Sequence, residues 1–184
     1  LKRLDISNID TSKITNMENI FFQCSSLISL NISSFNLLKV KSIESMFQEC
    51  KSLKSLDLSN IQTPVLTNMN SMFCDCTSLT SLNISNFITS KVENMEKLFY
   101  GCSSLIYLDL SNFQTSKVKN MDNMFYGCTS LKYLDLSNFS FDNVTMKFCL
   151  SNCYALKSIE FPTKKSLVAD VQRMFYECWS LKNR

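Results

Sequence analysis

Seven cysteines divide this chain into nearly equal lengths. Cys24, Cys50, Cys76, Cys102, Cys128, Cys153 and Cys178 follow one another at spacings of 26, 26, 26, 26, 25 and 25 residues. The apolar residues return in register with them. Three residues after each cysteine stands a leucine, from Leu27 to Leu181. Six after come Leu30, Leu56, Leu82, Leu108, Leu134 and Ile159, and eight after come Ile32, Leu58, Ile84, Leu110, Leu136 and Phe161. A unit this short cannot bury its own apolar face. Stacking neighbouring units buries a continuous column of Leu, Phe, Met and Cys, so the period dictates a linear array.

Each unit has two halves. Stretches such as Leu108-Asp109-Leu110 alternate with period two, the mark of a strand. Before each cysteine the apolar residues lie ten, seven, four and three positions back, as Val118, Met121, Met124 and Phe125 do before Cys128. That spacing predicts one face of a short helix, with Asn16, Asn68, Asn94 and Asn120 placed to cap it. Strands centred on residues 5, 31, 57, 83, 109, 135 and 160 are expected to form one parallel sheet, with the helical halves as crossovers. The fold class read from this is α/β: a right-handed solenoid of seven units of ~26 residues, sheet on one face and short helices on the other. No linker interrupts residues 1–184, which read as a single domain.

Composition narrows the function. Nineteen basic and 16 acidic residues leave a net charge of +3, which argues for no nucleic-acid partner. Two glycines and two prolines leave the turns to Asn, Ser, Asp and Thr. No apolar run is long enough to span a membrane. There is no histidine and no glycine-rich phosphate loop, so no catalytic residue, metal site or cofactor is expected. Leu1 opens in mid-pattern and Leu181 begins another strand, so the chain reads as the centre of a longer array without caps, with flanking repeats at both ends.

The repeat text carries a family resemblance. Residues 92–113 read VENMEKLFYGCSSLIYLDLSNF and residues 118–139 read VKNMDNMFYGCTSLKYLDLSNF. This resembles the BspA-like leucine-rich repeats, in the subtype with the pattern MF..C.SL..LDLSNF. The resemblance spans essentially the whole chain and implies a leucine-rich-repeat arc with a curved parallel sheet. It also implies an extracellular or cell-surface location and a role in recognition or adhesion. A scaffold segment inside an intracellular assembly is the alternative. Unit six departs from the pattern, with Cys149 and Leu150 where Met and Phe normally stand, so irregular curvature is expected near residues 140 to 168.

Three groups of residues are candidates for chemistry. A helical wall would set the cysteine copies about 10 Å apart, beyond the roughly 7 Å limit of a disulfide. The seven column cysteines are therefore expected to be reduced and buried, and Cys74, in an outward-leaning column with Phe22, Tyr100, Tyr126 and Tyr176, to be the reactive thiol. On the strand face the outward column reads Asp5, Asn31, Asp57, Asn83, Asp109, Asp135 and Glu160. Tyr107 and Tyr133 replace the serines of the column two residues earlier. Asp5, Asp57, Asp109, Asp135, Tyr107 and Tyr133 form the candidate face for a protein or glycan ligand. Two uses of the acids stay open: binding a basic ligand, or satisfying the amides of the turn that follows. Finally, Lys13, Lys39, Lys91 and Lys117 predict a solvated edge, and Asn31, Asn83, Asn138 and Asn143 open glycosylation sequons.

Overall fold

The computed structural model describes residues 1–163 and 170–182. Six strands of three residues occur among them: β1 (Arg3–Asp5), β2 (Ser29–Asn31), β3 (Ser55–Asp57), β4 (Ser81–Asn83), β5 (Tyr133–Asp135) and β6 (Ser158–Glu160). Each is centred on its inward Leu or Ile, one residue before the expected position. Pairing is parallel and in register by one unit, with Leu4 beside Leu30, Leu56 beside Leu82 and Leu134 beside Ile159. The expected single sheet is instead three two-stranded pairs. The expected strand centred on residue 109 does not form.

The expected helices are absent among the described residues; turns stand in their place. Unit four shows why. The amides of Met95, Lys97, Phe99 and Gly101 donate to the carbonyls of Asn120, Asp122, Met124 and Tyr126 in the next unit, at 2.7–3.0 Å. The amides between them, those of Leu98, Tyr100 and Cys102, close tight turns onto Met95, Lys97 and Phe99. An α-helix would send every one of these amides to the residue four before it. Lys97 (φ 53°) and Gly101 (φ 67°) take the left-handed conformation, which no helix interior allows. Each is the third residue of its turn, where a type II turn requires positive φ. Turns repeating every four residues still put Met95, Leu98, Phe99 and Cys102 inside, as a helix would.

This wall of turns holds the units together. A parallel ladder joins Asn16, Ser42, Asn68, Asn94, Asn120, Thr145 and Asp170 from the first unit to the last. The expected caps have the right chemistry on a different backbone: Oδ1 of Asn16, Asn68, Asn94 and Asn120 accepts the amide two residues on, at 2.7–3.0 Å. With the unit spacing set by this wall, three-residue strands add few bonds, and the strand side pairs only where it can.

The core is a set of columns. Phe21, Phe47, Phe73, Phe99 and Phe125 stack with centroids 5.4–5.7 Å apart. Units on the turn side are thus about half as far apart as helices would place them. Buried Thr63, Thr89 and Thr115 each donate to a carbonyl of the next unit and accept an amide from the same residue. Unit six replaces this threonine with Phe141, which packs on Phe139 and Phe161 at 6.0 Å. That aromatic cluster is a local departure from the repeat's packing; residues 164 to 168, where irregular curvature was also expected, lie outside the described residues, as do Asn183 and Arg184 of the expected last strand.

Candidate functional site

The thiols form a ladder of their own. Cys50, Cys76, Cys102 and Cys128 donate to the carbonyls of Phe21, Phe47, Phe73 and Phe99 of the preceding unit at 3.1–3.2 Å. Cys153 and Cys178 do the same to Phe125 and Leu150. Six of the seven column cysteines are buried, and Cys24 is half-buried. The 10 Å spacing does not apply, because the wall is built of turns and not helices among the described residues; a backbone carbonyl of the preceding unit accepts from six of the seven sulfurs. Cys74 also departs from expectation. It is buried, and burial, with the Asp75 charge second, pushes its thiol up to about 12. It carries almost no thiolate at neutral pH and is not a reactive thiol. Maleimide labelling of the native protein at pH 8 is expected to modify Cys24 at most, and all nine cysteines after unfolding. Fast native labelling of Cys74 would contradict this.

The strand-face acids serve the turns that follow them. Oδ1 of Asp5, Asp57, Asp109 and Asp135 accepts the amide of Ser7, Ser59, Ser111 and Ser137 at 2.8–3.0 Å. The serine amide first, and its hydroxyl second, hold the carboxyls of Asp5, Asp57 and Asp109 below their ordinary value. At Asp135 the Ser137 hydroxyl leads and the amide follows. All four are therefore ionised at neutral pH. Charge is not what the turn needs, however. Asn31 and Asn83 hold the amides of Ser33 and Ser85 in the same way at 3.2 Å. The carboxylate charge is surplus to the turn and available to solvent.

The six candidate residues do not form one site. Asp5 and Asp57 stand apart along the face. Tyr107, Asp109, Tyr133 and Asp135 are brought together with Ser111 around a depression of about 260 Å³. It lies where the strand ladder is interrupted. Tyr107 is 61% exposed and Tyr133 36%. The Tyr133 phenol is held protonated, its pKa raised by lost hydration first, then by the charges of Glu160 and Asp135, and by a hydrogen bond to Glu160. Sequence reasoning had not brought Glu160 to this place, although it belongs to the same outward column. Two exposed rings beside three carboxylates can hold a cation.

The other candidates are scattered. Lys13, Lys39, Lys91 and Lys117 are exposed. Tyr100 and Tyr126 stack at 4.8 Å, and the Arg173 guanidinium lies 5.9 Å from the Tyr176 ring. Asn138 spends its amide on the carbonyls of Leu110, Ser111 and Phe113. Among the described residues no group of three His, Cys, Asp or Glu side chains could hold a metal ion. No helix among them is long and apolar enough to cross a membrane.

No curated protein and no solved structure matches the chain. A family model matches it twice, over residues 1–102 and 67–184, so that the two matches overlap and leave no residue uncovered. The repeat that builds the stack is thus the family's own, and the chain belongs to the family described as Mycoplasma protein of unknown function, DUF285.

Proposed function

We propose that the chain is a non-catalytic recognition module that binds a basic segment of another protein through the strand face at Tyr107, Asp109, Tyr133 and Asp135. The observation that carries this reading is the break in the repeat. The position two residues before the outward strand residue is serine in four units, yet tyrosine in two adjacent ones, and those two line a depression with acids whose charge the turn does not use. We further read the stack as a right-handed solenoid of the BspA-like type displayed at the cell surface. Protease treatment of intact cells should then remove it, and complete protection would contradict that location.

Binding is tested with a fluorescent hexa-arginine peptide by anisotropy. The double substitution Tyr107→Ala with Tyr133→Ala should weaken binding about tenfold, as expected for losing two exposed cation–ring contacts. Asp109→Asn with Asp135→Asn should also weaken it while leaving the turns intact, because Asn31 and Asn83 already show asparagine serving them. Asp57→Asn should change nothing, and affinity should fall as salt rises. Equal binding by the double tyrosine variant, or equal binding of hexa-glutamate, would contradict the reading.

A further inference from the structure

A second surface lies beside the first and has a different chemistry. Three depressions of about 270, 340 and 450 Å³ adjoin along the flank of the strand face. The first and second share Gln62; the second and third share Asn112 and Gln114. Together they make one trough that runs along the stack, across the chain direction of the units. None of the residues lining it is charged.

Its polar groups are fixed in rows. Asn60, Asn86, Asn112 and Asn138 take the same place in successive units, and the Nδ2 of each donates to a carbonyl of the unit before: Ser33, Ser59, Ser85 and Ser111. That bond fixes which end of the amide faces out. Each Oδ1 is left as an acceptor to which no donor of the described residues is bonded. Gln62 and Gln114, two residues on from Asn60 and Asn112, also line the trough; both are exposed, with side-chain amides that make no bond within the described residues. Exposed Ile88 lies between them and offers an apolar patch.

We infer that this trough binds an extended, uncharged glycan chain. A charged ligand would find no counter-charge in it. An apolar ligand would strip water from a row of acceptors and give nothing back. An extended peptide binds by adding to a strand edge or by seating side chains in pockets; the trough crosses the units and has no strand edge along it. A sugar chain carries hydroxyls that donate and accept along its whole length, and C–H faces that pack on a side chain such as Ile88. It therefore meets the fixed acceptors of the asparagine row and the free amides of the two glutamines along one trough. This surface meets the tyrosine depression only at Ser111, and its glutamines and asparagines are not among that depression's residues, so either reading can hold or fail without the other.

The test is calorimetry on the whole chain with three neutral probes: cellohexaose, chitohexaose and maltohexaose. At least one is expected to bind, with affinity rising from the disaccharide to the hexasaccharide because the trough spans several units. Gln62→Ala with Gln114→Ala should weaken that binding about tenfold, the effect of losing two side chains' hydrogen bonds, with an unchanged melting temperature because both are exposed. Tyr107→Ala with Tyr133→Ala should leave it unaltered. No binding of any probe at millimolar concentration would overturn the inference. So would equal binding by the glutamine double variant, or loss of binding only in the tyrosine variant.

Discussion

Replacing Phe99 by alanine is expected to destabilise the protein by about 3–5 kcal/mol. The ring is fully buried between Phe73, 5.7 Å away and parallel within 1°, and Phe125, 5.5 Å away. Its stacking adds roughly 0.5–1.5 kcal/mol per pair to ordinary burial. Each unit touches only its two neighbours, so no third element can move in to fill the hole. The effect should therefore fall at the upper end of what such substitutions cost. Phe22→Ala, at a ring 40% exposed in the first unit, should cost under about 1 kcal/mol by comparison. Urea unfolding of the two variants checks this, and a loss at Phe99 no larger than that at Phe22 would contradict the packing described.

The second large effect is on the backbone. Lys97→Pro is expected to cost about 3 kcal/mol or more. The Lys97 amide donates to the Asp122 carbonyl at 3.0 Å, and proline has no amide hydrogen to give. The ring would also demand φ near −65°, where the residue has φ 53°. Both losses fall on the wall that joins unit four to unit five. A proline variant that melts with the parent would show that this ladder does not hold the stack together.

How much of this was written in the sequence depends on which residues are asked. The period, the single array and the inward columns are plain because Leu, Phe and Cys recur in fixed register. The wall reads as helical in the sequence because Met95, Leu98, Phe99 and Cys102 have a spacing that serves a helix and a run of four-residue turns equally well. Over two turns, 3.6 and 4 residues differ by less than one position. The distinguishing signal was present. The chain has only two glycines, Gly101 and Gly127, and both fall in the position just before the column cysteine. Glycine there signals positive φ, and Gln23, Glu49, Asp75, Asn152 and Glu177 in the same position adopt it, at φ 57–62°. Spacing between units followed from the wall, so the distance argument about the cysteines failed with it. The site was legible in part. Tyr107 and Tyr133 broke the repeat visibly, but only folded geometry separates Asp109 and Asp135, which share their depression, from Asp5 and Asp57. Nothing in the sequence distinguished the trough, because its asparagines and glutamines look like ordinary turn residues until their amide bonds are seen.

Consecutive turns, bonded from unit to unit, replace helices on one side of the stack among the described residues. The stability difference between Lys97→Gly and Lys97→Ala tests this most directly, because both variants lose the same side chain and differ only at Cβ. At φ 53° alanine carries the left-handed penalty and glycine does not. The account predicts that the glycine variant is the more stable of the two, by about 1 kcal/mol. In a helix the order reverses, with alanine favoured by about 1 kcal/mol. Finding the alanine variant more stable would contradict the turn wall and restore the helix.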